Sequence, residues 1–256
     1  MSVSEGAETS RPADTPTAGT AGTPHPADGD RVAEASRSVR PRTTERRAAR
    51  SREIVAATRA LFDERGVREA QIEDIARAVG INRAIIYRHF SSKEELFAVT
   101  LLGYLAELDE ALRPADDTAL DASARLEAAT RAFFAYGLEH PAFVDCAQTL
   151  LRRRGVELME EVSDEVMMQL GTGMSACLGH VVDILKAGTT SGELAVPDPH
   201  LLANILYTQG LGALNLAHLQ IAVRRHISGL PVIDPVGVDD LLDHLVRGAL
   251  AMARGA

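Results

Sequence analysis

Residues 71–90 read QIEDIARAVGINRAIIYRHF, two short apolar-periodic segments on either side of Gly80-Ile81-Asn82. No other stretch limits the fold as tightly. Ile72, Ile75, Ala76 and Val79 recur at i, i+3, i+4 and i+7, which places them on one stripe of a helix. Gly80 stops that helix and can take the left-handed conformation of a sharp turn. Ile81 is apolar and suits the inside of the turn, and Asn82 is a good N-cap for a second helix. In that second helix Ile86 and Phe90 share a face, and Ala76 is small where the two helices cross. The pattern predicts a helix-turn-helix, the first helix bracing the second.

The opposite face of the second helix carries Arg83, Ala84, Tyr87 and Arg88. The first turn of such a helix can enter the major groove, where an arginine donates two hydrogen bonds to a guanine edge. Tyr87 offers a rigid ring with a hydroxyl for a phosphate oxygen. Lys93 begins the next helix, where a cation beside free backbone N–H groups suits a phosphate.

Charge is distributed accordingly. The chain carries a net −9, yet residues 31–98 hold fourteen Arg and one Lys against ten acids, a balance of +5. Residues 1–30 sum to −4 and residues 99–256 to −10. This asymmetry predicts an anion-binding module joined to an acidic body. The run VRPRTTERRAARSR from Val39 to Arg52 reads either as a solvated helix start or as a basic arm reaching nucleic acid. Beside the helix-turn-helix the second reading is favoured, with Arg46, Arg47 and Arg50 as phosphate contacts.

Strand-favouring aromatics make up only 4% of the chain, while helix formers are abundant. The expected fold is all-α. Residues 1–40, rich in Ser, Thr, Pro, Gly and Ala, cannot bury enough surface to offset ordering and are expected to be a disordered extension. Residues 41–97 are expected to form the DNA-binding domain and 98–256 a larger helical domain, to which the family resemblance described below assigns effector binding and dimerisation. In the first, a helix over 44–65 buries Ile54, Ala57, Thr58, Leu61 and Phe62 and ends at Gly66. Ser92-Lys93-Glu94-Glu95 has the form of a capping box opening a helix to about Leu112. Later helices are expected over 120–139, 142–153, 157–190 (one or two), 198–225 and 238–253. GLPVIDPVG is expected as a loop, and no strand is predicted.

The segment from Ile54 to Phe97 resembles the DNA-binding domain of TetR-type transcriptional regulators. Their helix ending in Phe-x-x-x-Gly, then Ile-Ala, Gly-Val-Ser and Leu-Tyr-x-His-Phe-x-x-Lys, is matched by Phe62, Gly66, Ile75, Ala76, Gly80, Ile81, Asn82, Ile86, Tyr87, His89, Phe90 and Lys93. The departures are Gln71 for a Ser or Thr that caps and touches phosphate, Ala84 for a frequent Gly, and Ile85 for a frequent Thr. Ala84 and Ile85 could meet thymine methyls, or Ile85 could pack inward. The candidate DNA-binding set is therefore Arg46, Arg47, Arg50, Gln71, Asn82, Arg83, Ala84, Ile85, Tyr87, Arg88, His89 and Lys93.

The resemblance further implies a homodimer joined by its last two long helices, a cavity for a small effector in each subunit, and release from a palindromic operator. The apolar residues of 200–221, from Leu201 and Ile205 to Leu219 and Ile221, lie on more than one side of a helix. That suits an element packed both internally and on a partner. Phe133, Phe134, Tyr136, Phe143, Met174 and Tyr207 are candidate walls of a pocket for an apolar or amphipathic molecule, or equally core packing.

No catalytic motif, cofactor or metal site is predicted. GTTSGE at 188–193 lacks both the Lys and the preceding strand of a phosphate loop. His and Cys fall at no metal-ligand spacing. Cys146 and Cys177 read as buried thiols, and with neither secretory signal nor membrane span in evidence the cytoplasm is the expected compartment. The rival to DNA binding is a helical module that binds another protein, against which the basic block argues.

Overall fold

The computed structural model describes residues 27–152, 155–225 and 231–255. Backbone contacts divide the chain into two units, Met1–Arg46 and Arg47–Ala256. Helical structure begins at Ala27, within the stretch whose composition predicts disorder; residues 1–26 lie outside the described residues.

Helix α1 (Ala27–Arg65) ends at Gly66, whose φ of +80° is left-handed. α2 (Ile72–Val79) and α3 (Arg83–His89) follow, then α4 (Lys93–Leu112) and a 3₁₀ turn (Arg113–Asp116). α5 (Ala122–Glu139), α6 (Pro141–Leu151), α7 (Gly155–Glu161) and α8 (Asp164–Ser191) come next, and then α9 (Pro199–Leu219) and α10 (Val238–Arg254). The all-α reading holds with one correction. The segment expected as the end of a helix and a loop is a hairpin of β1 (Ile221–Arg225) and β2 (Pro231–Pro235), with Val223 opposite Ile233. α9 stops early because Gln220 turns left-handed, at φ 57°, and its N–H closes on the Leu216 carbonyl at 3.0 Å. The prolines that suggested a loop stand at the two ends of β2, where a strand tolerates them.

The predicted 157–190 helix is two, broken at Val162-Ser163. Val162 is buried while Ser163 takes extended backbone to start α8.

The small α1–α3 core is closed by Ile54, Phe62, Ile75 and Ile86, all nearly inaccessible, and by the edge of Phe62 against Phe97 of α4, with ring centroids 4.7 Å apart. α4 is buried along most of its length and runs on into the larger domain, packing on α5, α6 and α8. α10 closes that domain against α5 and α9.

Three polar attachments fix α4. At its start Ser92 Oγ accepts from Glu95 N at 2.8 Å, as a capping box requires. The buried Glu95 carboxylate reaches back one residue further than expected, to the Ser91 N–H and hydroxyl, and also accepts from the Ser163 hydroxyl. Ser92 Oγ in turn donates to the Glu161 carbonyl. At mid-helix Glu107 takes a bidentate pair from Arg59 of α1, at 2.5 and 2.6 Å. The Arg59 guanidinium also lies 4.3 Å from the Tyr104 ring centre. Near the far end His180 of α8 lies between Asp109 at 3.0 Å and Asp116 at 2.7 Å. Among the described residues no helix is long and apolar enough to cross a membrane.

Candidate nucleic-acid interface

The turn between α2 and α3 is built as its sequence predicts. Gly80 sits at φ 70°; its N–H donates to the Arg77 carbonyl at 3.2 Å, and that of Ile81 to the Ala76 carbonyl at 2.9 Å. This Schellman closure satisfies the last carbonyls of α2 and needs a residue that tolerates positive φ. Asn82 Oδ1 then accepts from Ile85 N at 3.0 Å, capping α3. Gln71 caps α2 through its backbone alone; its side chain makes no cap hydrogen bond and is exposed.

With Ile86 and Phe90 buried, α3 turns Arg83, Ala84, Tyr87 and Arg88 outward. Arg83 Nη1 donates to Glu73 Oε1 of α2 at 2.9 Å, and its guanidinium carbon lies 5.3 Å from the Tyr87 ring centre. Tyr87, and then Glu73, hold the Arg83 guanidinium above its ordinary value. Ile85 is half-buried, between the two alternatives its sequence position leaves open.

Other candidates are engaged within the fold. His89 turns back toward α1, its Nδ1 2.9 Å from Ser51 Oγ. Burial first, and then Arg47, Arg88 and Arg50, keep His89 below the usual histidine value, which favours a neutral ring. It supports the helix-turn-helix from behind. Arg47 donates to the Arg88 carbonyl at 3.3 Å, neutralising the α3 C-terminus. Arg50 pairs with Glu53 at 2.8 Å, and the Lys93 ammonium lies 5.0 Å from the Phe97 ring centre. Arg46, in the N-terminal unit, is exposed. Glu73 and Ser51 were not foreseen, since only the closed turn brings them to Arg83 and His89.

In the larger domain a cavity of about 60 Å³ lies among α4, α5, α8, α9 and α10. Three of the six sequence candidates, Phe133, Met174 and Tyr207, line it. Phe134, Tyr136 and Phe143 do not: they are buried behind the wall, where the Tyr136 hydroxyl donates to the Tyr104 carbonyl at 2.9 Å. The remaining lining is mostly aliphatic and includes Leu105, Leu108, Leu206 and Leu245. Their leucine spacing is the same as that of ordinary core, which hides them in the sequence. The Cys177 thiol on the cavity wall and the buried Cys146 are both pushed up to about 12 by burial, so neither is reactive at neutral pH. Among the described residues no group of three or more His, Cys, Asp or Glu is placed to hold a metal ion.

Residues 54–100 match the family of bacterial regulatory proteins called tetR. The chain is 30% identical over 138 residues to the HTH-type transcriptional activator FasR of Mycolicibacterium smegmatis, covering 52% of this chain and 58% of that one. It is 36% identical over 100 residues to the HTH-type transcriptional repressor KstR2 of Rhodococcus jostii, covering 39% and 49%. The match thus spans about half the length of these relatives. Among solved structures, the transcriptional regulator FadR from Bacillus subtilis, in complex with stearoyl-CoA, superposes with a TM-score of 0.54 at 17% identity. That alignment covers 80% of this chain and 98% of FadR, and it shows a shared fold. The segment that matches the tetR family of bacterial regulatory proteins, residues 54–100, is the one that holds the helix-turn-helix from the end of α1 through α2 and α3 into α4.

Proposed function

We propose that this protein is a homodimeric, ligand-responsive transcriptional regulator, a repressor released from a palindromic operator by a small apolar or amphipathic effector. The observation that carries the reading is the outward row of Arg83, Tyr87 and Arg88 on a recognition helix braced by α2. Arg83 reads a base. Tyr87, Arg88 and the exposed start of α2 at Gln71 meet the backbone, joined by Lys93 once it leaves Phe97 and by Arg46, Arg47 and Arg50 of the arm. Asn82 acts as the cap that aims the helix, and His89 as an internal support.

Dimerisation through α9 and α10 is supported by Leu201, 58% exposed on the helix that packs against α10. The cavity supports the effector class. Its lining offers few polar groups: Thr130 Oγ1 is engaged with the Leu126 carbonyl, and burial keeps the Tyr207 hydroxyl protonated. A volume of about 60 Å³ must widen for a ligand of any length. FadR was crystallised with stearoyl-CoA, which makes long-chain acyl-CoA the first probe. Effector binding acts by its differential affinity for the two states of the dimer.

Fluorescence anisotropy with DNA from upstream of the protein's own gene tests the reading, with random DNA of equal length as control and a salt series throughout. Saturable binding that exceeds the control, falls with salt and weakens in Arg83→Ala supports it; equal weak binding to both DNAs refutes it for that promoter. The repressor reading is checked by transcription in vitro from the bound promoter, where a rise in transcript on adding the protein overturns it.

A further inference from the structure

The Glu73–Arg83 contact has a role that stability does not explain. Both side chains are more than half exposed, at 55% and 61%, and an ion pair at that exposure adds little to a fold. Its position is the informative part. Glu73 lies in the first turn of α2, and the contact spans the helix-turn-helix to the first residue of α3. Arg83 is therefore held from two sides, by Glu73 through Nη1 and by the Tyr87 ring one turn further along its own helix. With Nη1 engaged on Glu73, the Nη2 and Nε donors remain for the paired acceptors of a guanine edge.

We infer that Glu73 is a positioning residue for base recognition: together with Tyr87 it pre-orders the Arg83 guanidinium, so that the recognition helix meets DNA with its reading group already aimed. The inference rests on Arg83 reading a base, as proposed above. Free arginine loses considerable rotamer freedom on binding, and holding one such side chain in advance is worth about 2- to 10-fold in affinity. Because the gain applies only where the guanidinium finds its base, it is a gain in selectivity. The carboxylate also opposes DNA through its charge at every sequence alike, so its two effects separate experimentally.

The test is selection from a pool of duplexes with a randomised core, using the full-length protein and the variants Arg83→Ala, Glu73→Ala and Glu73→Gln, followed by affinities for the selected duplex and its single-base variants. The wild type is expected to select a guanine at one position of each half-site. Arg83→Ala should lose that preference. Glu73→Ala should reduce it about 2- to 10-fold while binding random DNA as well as or better than wild type. Glu73→Gln, which removes the charge but keeps an acceptor oxygen for Nη1, should retain most of the preference. Equal gains by both Glu73 variants at all sequences would overturn the inference, leaving Glu73 as a repulsive charge only. An Arg83→Ala protein that keeps the guanine would instead overturn the reading of Arg83. Thermal unfolding of each variant separates either result from loss of the fold.

Discussion

Replacing Glu95 tests whether the junction between the DNA-binding and larger domains depends on one buried carboxylate. Glu95 is 7% exposed and accepts three hydrogen bonds, from the Ser91 N–H, the Ser91 hydroxyl and the Ser163 hydroxyl. Bonds to a charged acceptor contribute about 1.5–3 kcal/mol each. Ser91 and Ser163 are exposed, so water can reclaim both when the carboxylate is gone. Glu95→Ala should therefore cost about 3 kcal/mol and not the full sum. For a chain of this size that lowers the unfolding midpoint by roughly 6–12 °C. Glu95→Gln keeps one acceptor oxygen but turns an amide toward donors, and should lose about 2 kcal/mol.

The pH dependence has a definite sign. Burial alone would raise the Glu95 value, but the bonds from Ser163 and Ser91 overcome it and hold it below the ordinary 4.5. A carboxylate depressed in the folded state stabilises above its unfolded value and loses that contribution as pH falls through the folded value. The gap between wild type and Glu95→Gln should be full near pH 7 and shrink below about pH 4.5. Circular dichroism melts at fixed protein concentration measure it. A Glu95→Ala midpoint within about 1 °C of wild type at pH 7 would refute the reasoning, since three charged bonds cannot vanish without a larger shift.

His180 predicts the opposite trend. Burial works to lower its value, but Asp116 and Asp109 at the two ring nitrogens raise it above the ordinary 6.5. Its stabilisation is complete below pH 6.5 and is lost as pH rises through the folded value, so the advantage over His180→Asn, about 1–2 kcal/mol in acid, should decline on alkaline titration. Gly210→Ala would place a Cβ 2.5 Å from Phe133 Cε1 on the cavity wall. It should destabilise by about 1–3 kcal/mol in denaturant melts and weaken an apolar probe in isothermal titration. Asn82→Ala removes the α3 cap and should cost about 1 kcal/mol of stability in the same melts.

The DNA-binding domain was legible because its constraints are local. Ile72, Ile75 and Ala76 specify a stripe, Gly80 a left-handed turn and Asn82 a cap, each within a few residues of what it governs. His89 was harder. Its place in the motif suggested DNA, yet its imidazole turns toward Ser51, 38 positions earlier in the chain. The hairpin at 221–235 was missed because helix formers run on to Leu219, while Pro231 and Pro235 look like breakers when read without a partner strand. The cavity was half legible: aromatic residues attract notice, but Phe134 and Phe143 differ from Phe133 only in where α5 and α6 turn them. Leu105 and Leu108 carry no mark of lining a space and not filling one.

The same limits explain why the link between the two domains is invisible in the sequence although its parts are ordinary. Arg59 and Glu107 are 48 residues apart and Ser163 lies 68 from Glu95, so no local pattern relates them. In the fold these contacts converge on α4, the helix whose Leu105, Leu108 and Leu112 face the cavity while its Glu107 holds α1. Tyr136 completes the arrangement from α5, three residues and so just under one turn past Phe133 on the cavity wall. Its hydroxyl reaches both the Tyr104 carbonyl at 2.9 Å and Glu107 at 3.2 Å. A ligand that widened the space among α4, α5 and α8 would have to displace one of these walls. Displacing α5 strains the Tyr136 contact, and displacing α4 carries Glu107 and hence Arg59 with it. Both of these paths bear on the same Arg59–Glu107 pair, whereas movement of α8, α9 or α10, which also line the cavity, touches neither partner.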